Sequence, residues 1–241
     1  MSAPNNRHVL RLRARFFRQT GKLDAALADI DRVIALADPH WDDFITRGDF
    51  LIAHGRLDAA DAAYARAGAL NPSDAKVHLH RADAAARGDR FDTASNLLDR
   101  ARLIRPDLAA IYLNRGNAHF ARQALDRAAT DYRCALILKP DHQDSAYNLA
   151  NTLVESDAEL SALRPFNWAV HGAAPHPRAW INRGNTMLYL KQYAAAVASY
   201  DRAIAATQDH PAFVEALIAD GYGRPGGYSR REPAPAMVKS A

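Results

Sequence analysis

The sequence predicts an all-α solenoid built from consecutive helical hairpins. The tetrapeptide Asn-Arg-Gly-Asn occurs at residues 114–117 and again at 182–185, and Asn148 and Asn151 stand midway between the two copies in the same frame. The underlying period is therefore 34 residues, and it divides residues 7–210 into six units without insertions. A repeat of this length is typical of solenoids, in which stacked units bury one continuous core.

Four columns of this period keep the same kind of side chain, when positions are counted from the first residue of each unit. Position 20 is alanine in all six units, and positions 8 and 27 carry mostly alanine or glycine. Small residues there let two helices approach closely, while the bulky residues at position 24 fill the space beside them. Positions 8 and 24 hold Ala14 and Ile30, Gly48 and Tyr64, Ala82 and Leu98, Gly116 and Tyr132, Ala150 and Phe166, and Gly184 and Tyr200.

Each unit is predicted to form two antiparallel helices. Apolar and small residues recur at three-and-four spacing in both halves, and Gly21, Gly55 or Asp89 marks a turn at position 15. Prolines near position 32 end most of the units. In the fifth unit Pro165 falls inside the second helix, which predicts a kink or a late helix start there.

Composition indicates a folded protein without a membrane span. Of 241 residues, 49% are hydrophobic and 24% charged, and no apolar run approaches the roughly 18 residues that cross a bilayer. The N-terminus lacks the apolar core of a secretory signal, and the single cysteine, Cys134, cannot form an internal disulfide. We therefore expect a cytoplasmic location. Residues 1–20 carry five arginines and no acid, and residues 221–241 carry four basic residues against Glu232, so the middle is mildly acidic.

The repeated pattern resembles the tetratricopeptide repeat. The segment "WDDFITRGDFLIAHGRLDAADAAYARAGALNPSD" at 41–74 matches the family signature best, and residues 109–142 and 177–210 follow it closely. The resemblance implies a right-handed superhelical solenoid of helix-turn-helix repeats. The predicted boundaries are a flexible N-terminus at 1–6, repeats at 7–40, 41–74, 75–108, 109–142, 143–176 and 177–210, a capping helix at 211–220 and a disordered basic tail at 221–241.

Asparagines at positions 6 and 9 lie three residues apart, so each pair shares one face of a first helix. In the resembled family that face lines a concave groove, and an amide can bond a peptide backbone without reading its sequence. The predicted amide ladder consists of Asn114, Asn117, Asn148, Asn151, Asn182 and Asn185. The alternatives are a polar solvated face, or asparagines that support packing between repeats. The other expected groove residues are Arg11, Arg15, Lys76, His80, Phe120, Tyr147 and Tyr189.

The family's carboxylate clamp is matched in residue type only by Lys76, which argues against capture of a chaperone tail. Histidines at position 34 stand in separate turns and cannot converge on a metal, while His78 and His119 occupy packing positions. No Gly-rich phosphate loop is present, and Cys134 has no paired base in register. The acidic middle argues against nucleic acid as a partner.

These observations predict a non-catalytic protein-protein interaction scaffold, without cofactor or metal, that binds a peptide or helix of a partner protein in the concave groove. The alternative is a substrate-recognition or accessory subunit of an enzyme, such as a glycosyltransferase, that another chain supplies.

Overall fold

The computed structural model describes residues 6–36, 38–171 and 177–208, which form twelve α-helices and no strand. The predicted capping helix at 211–220, the tail at 221–241 and residues 1–5 lie outside these described residues. The helices are α1 (Arg7–Gln19), α2 (Leu23–Ala35), α3 (Trp41–Ala53), α4 (Leu57–Leu70), α5 (Ala75–Arg87), α6 (Phe91–Ile104), α7 (Ala109–Ala121), α8 (Leu125–Leu138), α9 (Gln143–Glu155), α10 (Glu159–Val170), α11 (Pro177–Tyr189) and α12 (Tyr193–Gln208).

The helix starts follow the 34-residue period. Odd-numbered helices begin at position 1 of the predicted units, and even-numbered helices begin at position 17. Twelve described helices in this register fit about six helical hairpins. The first and second helix of a hairpin are hereafter the A and B helix.

The turn between A and B helices has the same backbone conformation throughout. Position 15 has a positive φ in every unit, 74° at Gly21 and Gly55 and between 55° and 59° at the others, which are Asp89, Gln123, Asp157 and Lys191. A left-handed residue at this point ends the A helix and reverses the chain, and glycine adopts it without steric cost.

Pro165 is accommodated inside α10. The helix begins at Glu159, at position 17 like the other B helices, so the predicted late start is wrong. Pro165 itself is buried among the residues of the helix core face. Its ring removes the backbone hydrogen bond that residue 165 would donate to Ser161.

The chain divides into two compact units, which are described separately: residues 6–114 and residues 115–208. In the first unit α1 to α5 each pack against the next helix, and Phe50, Leu51 and Tyr64 are almost completely buried. In the second unit α8 to α11 do the same, around Tyr132 and Phe166.

The tyrosines at position 24 lie directly over the glycines at position 8. A Cβ atom added to Gly116 would stand 2.6 Å from the Tyr132 ring, and one added to Gly184 would stand 2.6 Å from the Tyr200 ring. The same overlap occurs between Gly48 and Tyr64. Repeats with Ile, Leu or Phe at position 24 carry alanine at position 8 instead. The residue at position 8 therefore varies with the size of the side chain at position 24 that packs on it.

Candidate peptide-binding surface

Within residues 115–208, asparagines of neighbouring repeats bond to one another. Asn117 Oδ1 accepts a hydrogen bond from the Tyr132 hydroxyl at 2.8 Å and another from Asn148 Nδ2 at 3.0 Å. Asn117 is 2% exposed and Asn148 6% exposed. A buried amide must find partners or lose its hydration energy, so these contacts fix how the two repeats stack.

The same arrangement recurs one repeat further along. Asn182 Nδ2 donates to Asn151 Oδ1 at 3.0 Å and lies 3.1 Å from the Tyr147 hydroxyl. The Tyr200 hydroxyl donates to Asn185 Oδ1 at 2.8 Å. Position 6 of one repeat therefore donates to position 9 of the repeat before it, and the tyrosine at position 24 donates to position 9 of its own repeat.

Within residues 6–114, the second and third repeats are joined in a similar way, but by the ionisable side chains Asp49 and His80. The Tyr64 hydroxyl donates to Asp49 Oδ1 at 2.8 Å, and His80 Nδ1 lies 3.4 Å from the same oxygen. The His80 ring also stacks on Tyr64 with centroids 5.1 Å apart. Burial, followed by the negative charge of Asp49, raises the pKa of Tyr64 well above its ordinary value, so the phenol remains a donor.

The basic residues predicted for the groove have different surroundings. Arg11 makes a bidentate ion pair with Asp43 at 2.6 and 2.8 Å, and Asp43 is 2% exposed. This hydrogen bonding raises the pKa of Arg11 and ties the first repeat to the second. Arg15 and Lys76 are exposed.

Accessibility separates the predicted site residues into two groups. Asn114, Asn117, Asn148 and Tyr147 are buried, whereas Asn151, Asn182, Asn185, Phe120 and His80 are half-buried and Tyr189 is 60% exposed. Within residues 115–208, the side chains that a partner could therefore reach are those of Asn151, Asn182, Asn185, Phe120 and Tyr189. Their part in peptide binding stays a prediction.

Sequence reasoning missed the tyrosines as members of the amide network. Their signal was present in the columns: Tyr64, Tyr132 and Tyr200 all stand at position 24 of units whose position 9 is Asp or Asn and whose position 8 is glycine. Burial is the main cause that raises the pKa of Tyr132 and Tyr200, which keeps both phenols protonated as donors.

The described residues offer neither a metal-binding cluster nor a membrane-spanning helix. No group of three or more His, Cys, Asp or Glu side chains in that part of the chain could hold a metal ion. None of the twelve helices there is long and apolar enough to cross a membrane.

Sequence models of one repeat family match two segments of the chain. Both models describe the tetratricopeptide repeat, and they match residues 87–143 and 177–210. These two segments of the chain are therefore similar to tetratricopeptide repeats. Repeats of this kind are typically interaction scaffolds, and no characterised protein in the curated set matches the sequence.

Three solved structures share the fold, and two of them are described as tetratricopeptide-repeat proteins. PilF of Pseudomonas aeruginosa has a TM-score of 0.69 at 16% identity, covering 89% of this chain and 96% of its own. The C-terminal part of a repeat protein from Cytophaga hutchinsonii also has a TM-score of 0.69 at 16% identity, with 89% of both chains covered. YrrB, described as having an unusual peptide-binding site, has a TM-score of 0.58 at 18% identity and covers 78% and 97%. The chain is thus an all-α helical-repeat solenoid.

Proposed function

We propose that this chain is a non-catalytic scaffold that binds a peptide or helix of a partner protein along the A helices of its tetratricopeptide repeats. The observation that carries the proposal is the pair Asn185 and Tyr189, which stand one turn apart on α11. Asn185 is half-buried, and its Oδ1 is engaged by Tyr200 while no described residue accepts from its Nδ2. Tyr189 is 60% exposed.

This pair suits an extended peptide. The Asn185 amide can donate to a backbone carbonyl, and each such bond contributes about 1 kcal/mol net. Tyr189 offers an aromatic face and a hydroxyl, a combination that is common in protein-protein interfaces. The hydrogen bond from Tyr200 holds the amide in one orientation, which lowers the entropy lost when a partner binds. The peptide-binding site of YrrB supports the same use of this fold.

Site-directed photo-crosslinking tests the proposal. A photoreactive phenylalanine replaces Tyr189, or replaces Thr130 on the exposed outer face of α8 as a matched control. We expect one partner to be cross-linked from position 189 and not from position 130, and its cross-linked segment gives a synthetic peptide for titration. Identification of an enzyme as that partner would favour the accessory-subunit function.

Two substitutions then separate binding from stability. Asn185→Ala removes the amide and should weaken binding of that peptide by about 1 to 2 kcal/mol. Tyr200→Phe removes only the hydroxyl that holds the amide, so it should change the affinity less while destabilising the fold to a similar degree. Equal affinities for Asn185→Ala and the unmodified chain would remove Asn185 from the binding surface, and cross-linking from neither position would remove the surface itself.

A further inference from the structure

An exposed stripe runs along the outer face of α10. It consists of Leu160, Arg164 and Trp168 of α10 and of His171, the residue that caps this helix. Their spacing places them on one side of the helix over about 16 Å. Leu160 is 71% exposed and Trp168 44% exposed. We call these four residues the α10 stripe.

The α10 stripe differs from the same positions in the other repeats. Position 18 is aspartate in the first four units, namely Asp24, Asp58, Asp92 and Asp126, whereas the fifth unit has Leu160. Position 22 is Ala28, Ala62 and Ala198 in three other units, where the fifth has Arg164. Position 26 is arginine in four units, where the fifth has Trp168. The fifth repeat therefore has leucine in place of an acid, arginine in place of a small residue, and tryptophan in place of an arginine.

Arg164 stacks on an aromatic ring. Its guanidinium lies 4.9 Å from the centroid of the Trp168 ring, and among the described residues no carboxylate pairs with it. Several arginines elsewhere pair with aspartates, as Arg13 does with Asp29 and Arg115 with Asp131, each at 2.6 Å. Residues 160–200 contain no acid at all, so the positive charge of this segment is not neutralised by its own sequence.

Arg183 of α11 shows the same local lack of acids. It donates to Asn167 Oδ1 at 2.7 Å and lies over the Trp180 ring at 5.6 Å. Its pKa is lowered by burial, whereas aspartate hydrogen bonds raise the pKa of Arg11 and Arg13. The surroundings of α10 and α11 thus favour an added negative charge more than those of the earlier repeats.

We propose that the α10 stripe docks an acidic segment of another protein, which places a carboxylate on Arg164 and an apolar side chain between Leu160 and Trp168. Both ends of this chain are basic, with five arginines in residues 1–20 and four basic residues in 221–241, so neither has the charge that complements the stripe. A nucleic acid would need several cations along its phosphates, whereas the stripe presents one arginine between two apolar residues. This surface lies on a B helix and does not depend on the proposed use of the A helices.

Titration with two synthetic peptides tests the proposal on the full-length chain. The first is a fluorescein-labelled peptide of about 16 residues containing Glu, Leu and Ala, long enough to follow the stripe, and the second has Lys in place of every Glu. We expect fluorescence anisotropy to show binding of the glutamate peptide only, weakened at high salt because exposed charge pairs are screened. In spectra of the ¹⁵N-labelled indoles, the signal of Trp168 should shift while that of Trp41 stays in place.

Substitutions that restore the residues of other repeats provide the decisive comparison. The double variant Leu160→Asp with Arg164→Ala restores the residues that the first two repeats carry at positions 18 and 22, so its helix should remain folded. It should lose about tenfold or more in affinity for the glutamate peptide. Arg164→Glu should reverse the preference toward the lysine peptide. The variant Asn185→Ala with Tyr189→Ala changes the proposed A-helix surface and leaves the four residues of the α10 stripe in place, so it should bind the glutamate peptide normally.

Other outcomes overturn the proposal. Equal binding of the two peptides, no binding of either, or an unchanged affinity in the Leu160→Asp, Arg164→Ala variant would each remove the α10 stripe as an acidic-peptide surface. A single-stranded oligothymidine that shifts the Trp168 indole when the glutamate peptide does not would assign the stripe to nucleic acid instead.

Discussion

Asn148 donates its Nδ2 hydrogen to Asn117 Oδ1 at 3.0 Å, across two neighbouring repeats. The two residues belong to the amide ladder that the sequence predicts for partner binding, yet both are buried. The packing alternative therefore describes this pair, because their polar atoms satisfy each other and Tyr132. The half-buried asparagines Asn151, Asn182 and Asn185 are the ones that can combine support of packing with contact to a partner.

The first prediction concerns Asn117. Asn117→Ala removes the acceptor of both Tyr132 and Asn148, and a buried donor without a partner costs about 1 to 3 kcal/mol. We expect the free energy of unfolding in urea to fall by roughly that amount. Asn96→Ala, on the exposed outer face of α6, is the matched control and should change it by less than about 0.5 kcal/mol. Similar values for both variants would mean that the inter-repeat hydrogen bond has no net effect on stability.

A second prediction concerns the glycine beneath Tyr132. Gly116→Ala should gain up to about 1 kcal/mol from helix propensity, but the new Cβ would stand 2.6 Å from the ring, and overpacking typically costs about 1 to 3 kcal/mol. We expect net destabilisation in urea unfolding. In a Tyr132→Leu background the same substitution should become neutral or stabilising, since Ala82 already stands beside Leu98 at these positions. Equal effects of Gly116→Ala in both backgrounds would contradict the coupling.

A third prediction concerns the alanine column. Ala128 at position 20 has no exposed surface, so Ala128→Leu should overpack the contact between helices and cost roughly 1 to 3 kcal/mol. Because solenoid stability is a sum of repeat and neighbour contributions, hydrogen exchange should show the loss of protection first around the fourth repeat. Ala62→Leu, on the exposed face of α4, is the control. Undiminished protection around Ala128 would place position 20 away from a helix contact.

A fourth prediction concerns the pH dependence of stability at His119. Burial is the main cause that lowers the pKa of His119, Arg115, Arg122 and Arg127 add to it, and Asp131, 3.7 Å away, opposes it. Because the unfolded histidine titrates near about 6.5, the unfolded state binds more protons below that pH. The stabilising contribution of neutral His119 is therefore complete above the unfolded pKa and is lost as the pH falls toward the folded pKa.

Urea unfolding at about pH 7.5 and about pH 5.5, on either side of the unfolded pKa, measures this effect. His119→Gln should lose less stability between the two conditions than the unmodified chain. Some dependence should remain, because burial also lowers the pKa of His78 and His142. His8→Gln on the exposed face of α1 serves as the control. An unaltered pH dependence in His119→Gln would show that His119 does not carry it.

The sequence by itself determined the helix register. All twelve described helices start at position 1 or position 17 of the period of 34 residues. The turn at position 15 was equally evident from Gly21 and Gly55, because glycine marks the left-handed conformation. Such features are local, since each depends on the spacing of apolar residues or on one backbone angle.

Tertiary structure alone decided the role of each polar residue on the A helices. Asn117 and Asn185 stand at the same position of the period, yet Asn117 is buried and bonds to the next repeat while Asn185 is half-buried. Asn148 of the following repeat lies against Asn117, whereas no described repeat follows Asn185. Likewise, an aspartate-to-leucine change at Leu160 is visible in the sequence, but only packing shows that Leu160 remains 71% exposed. Exposure is a property of the neighbouring helices, and the period of a single helix does not contain it.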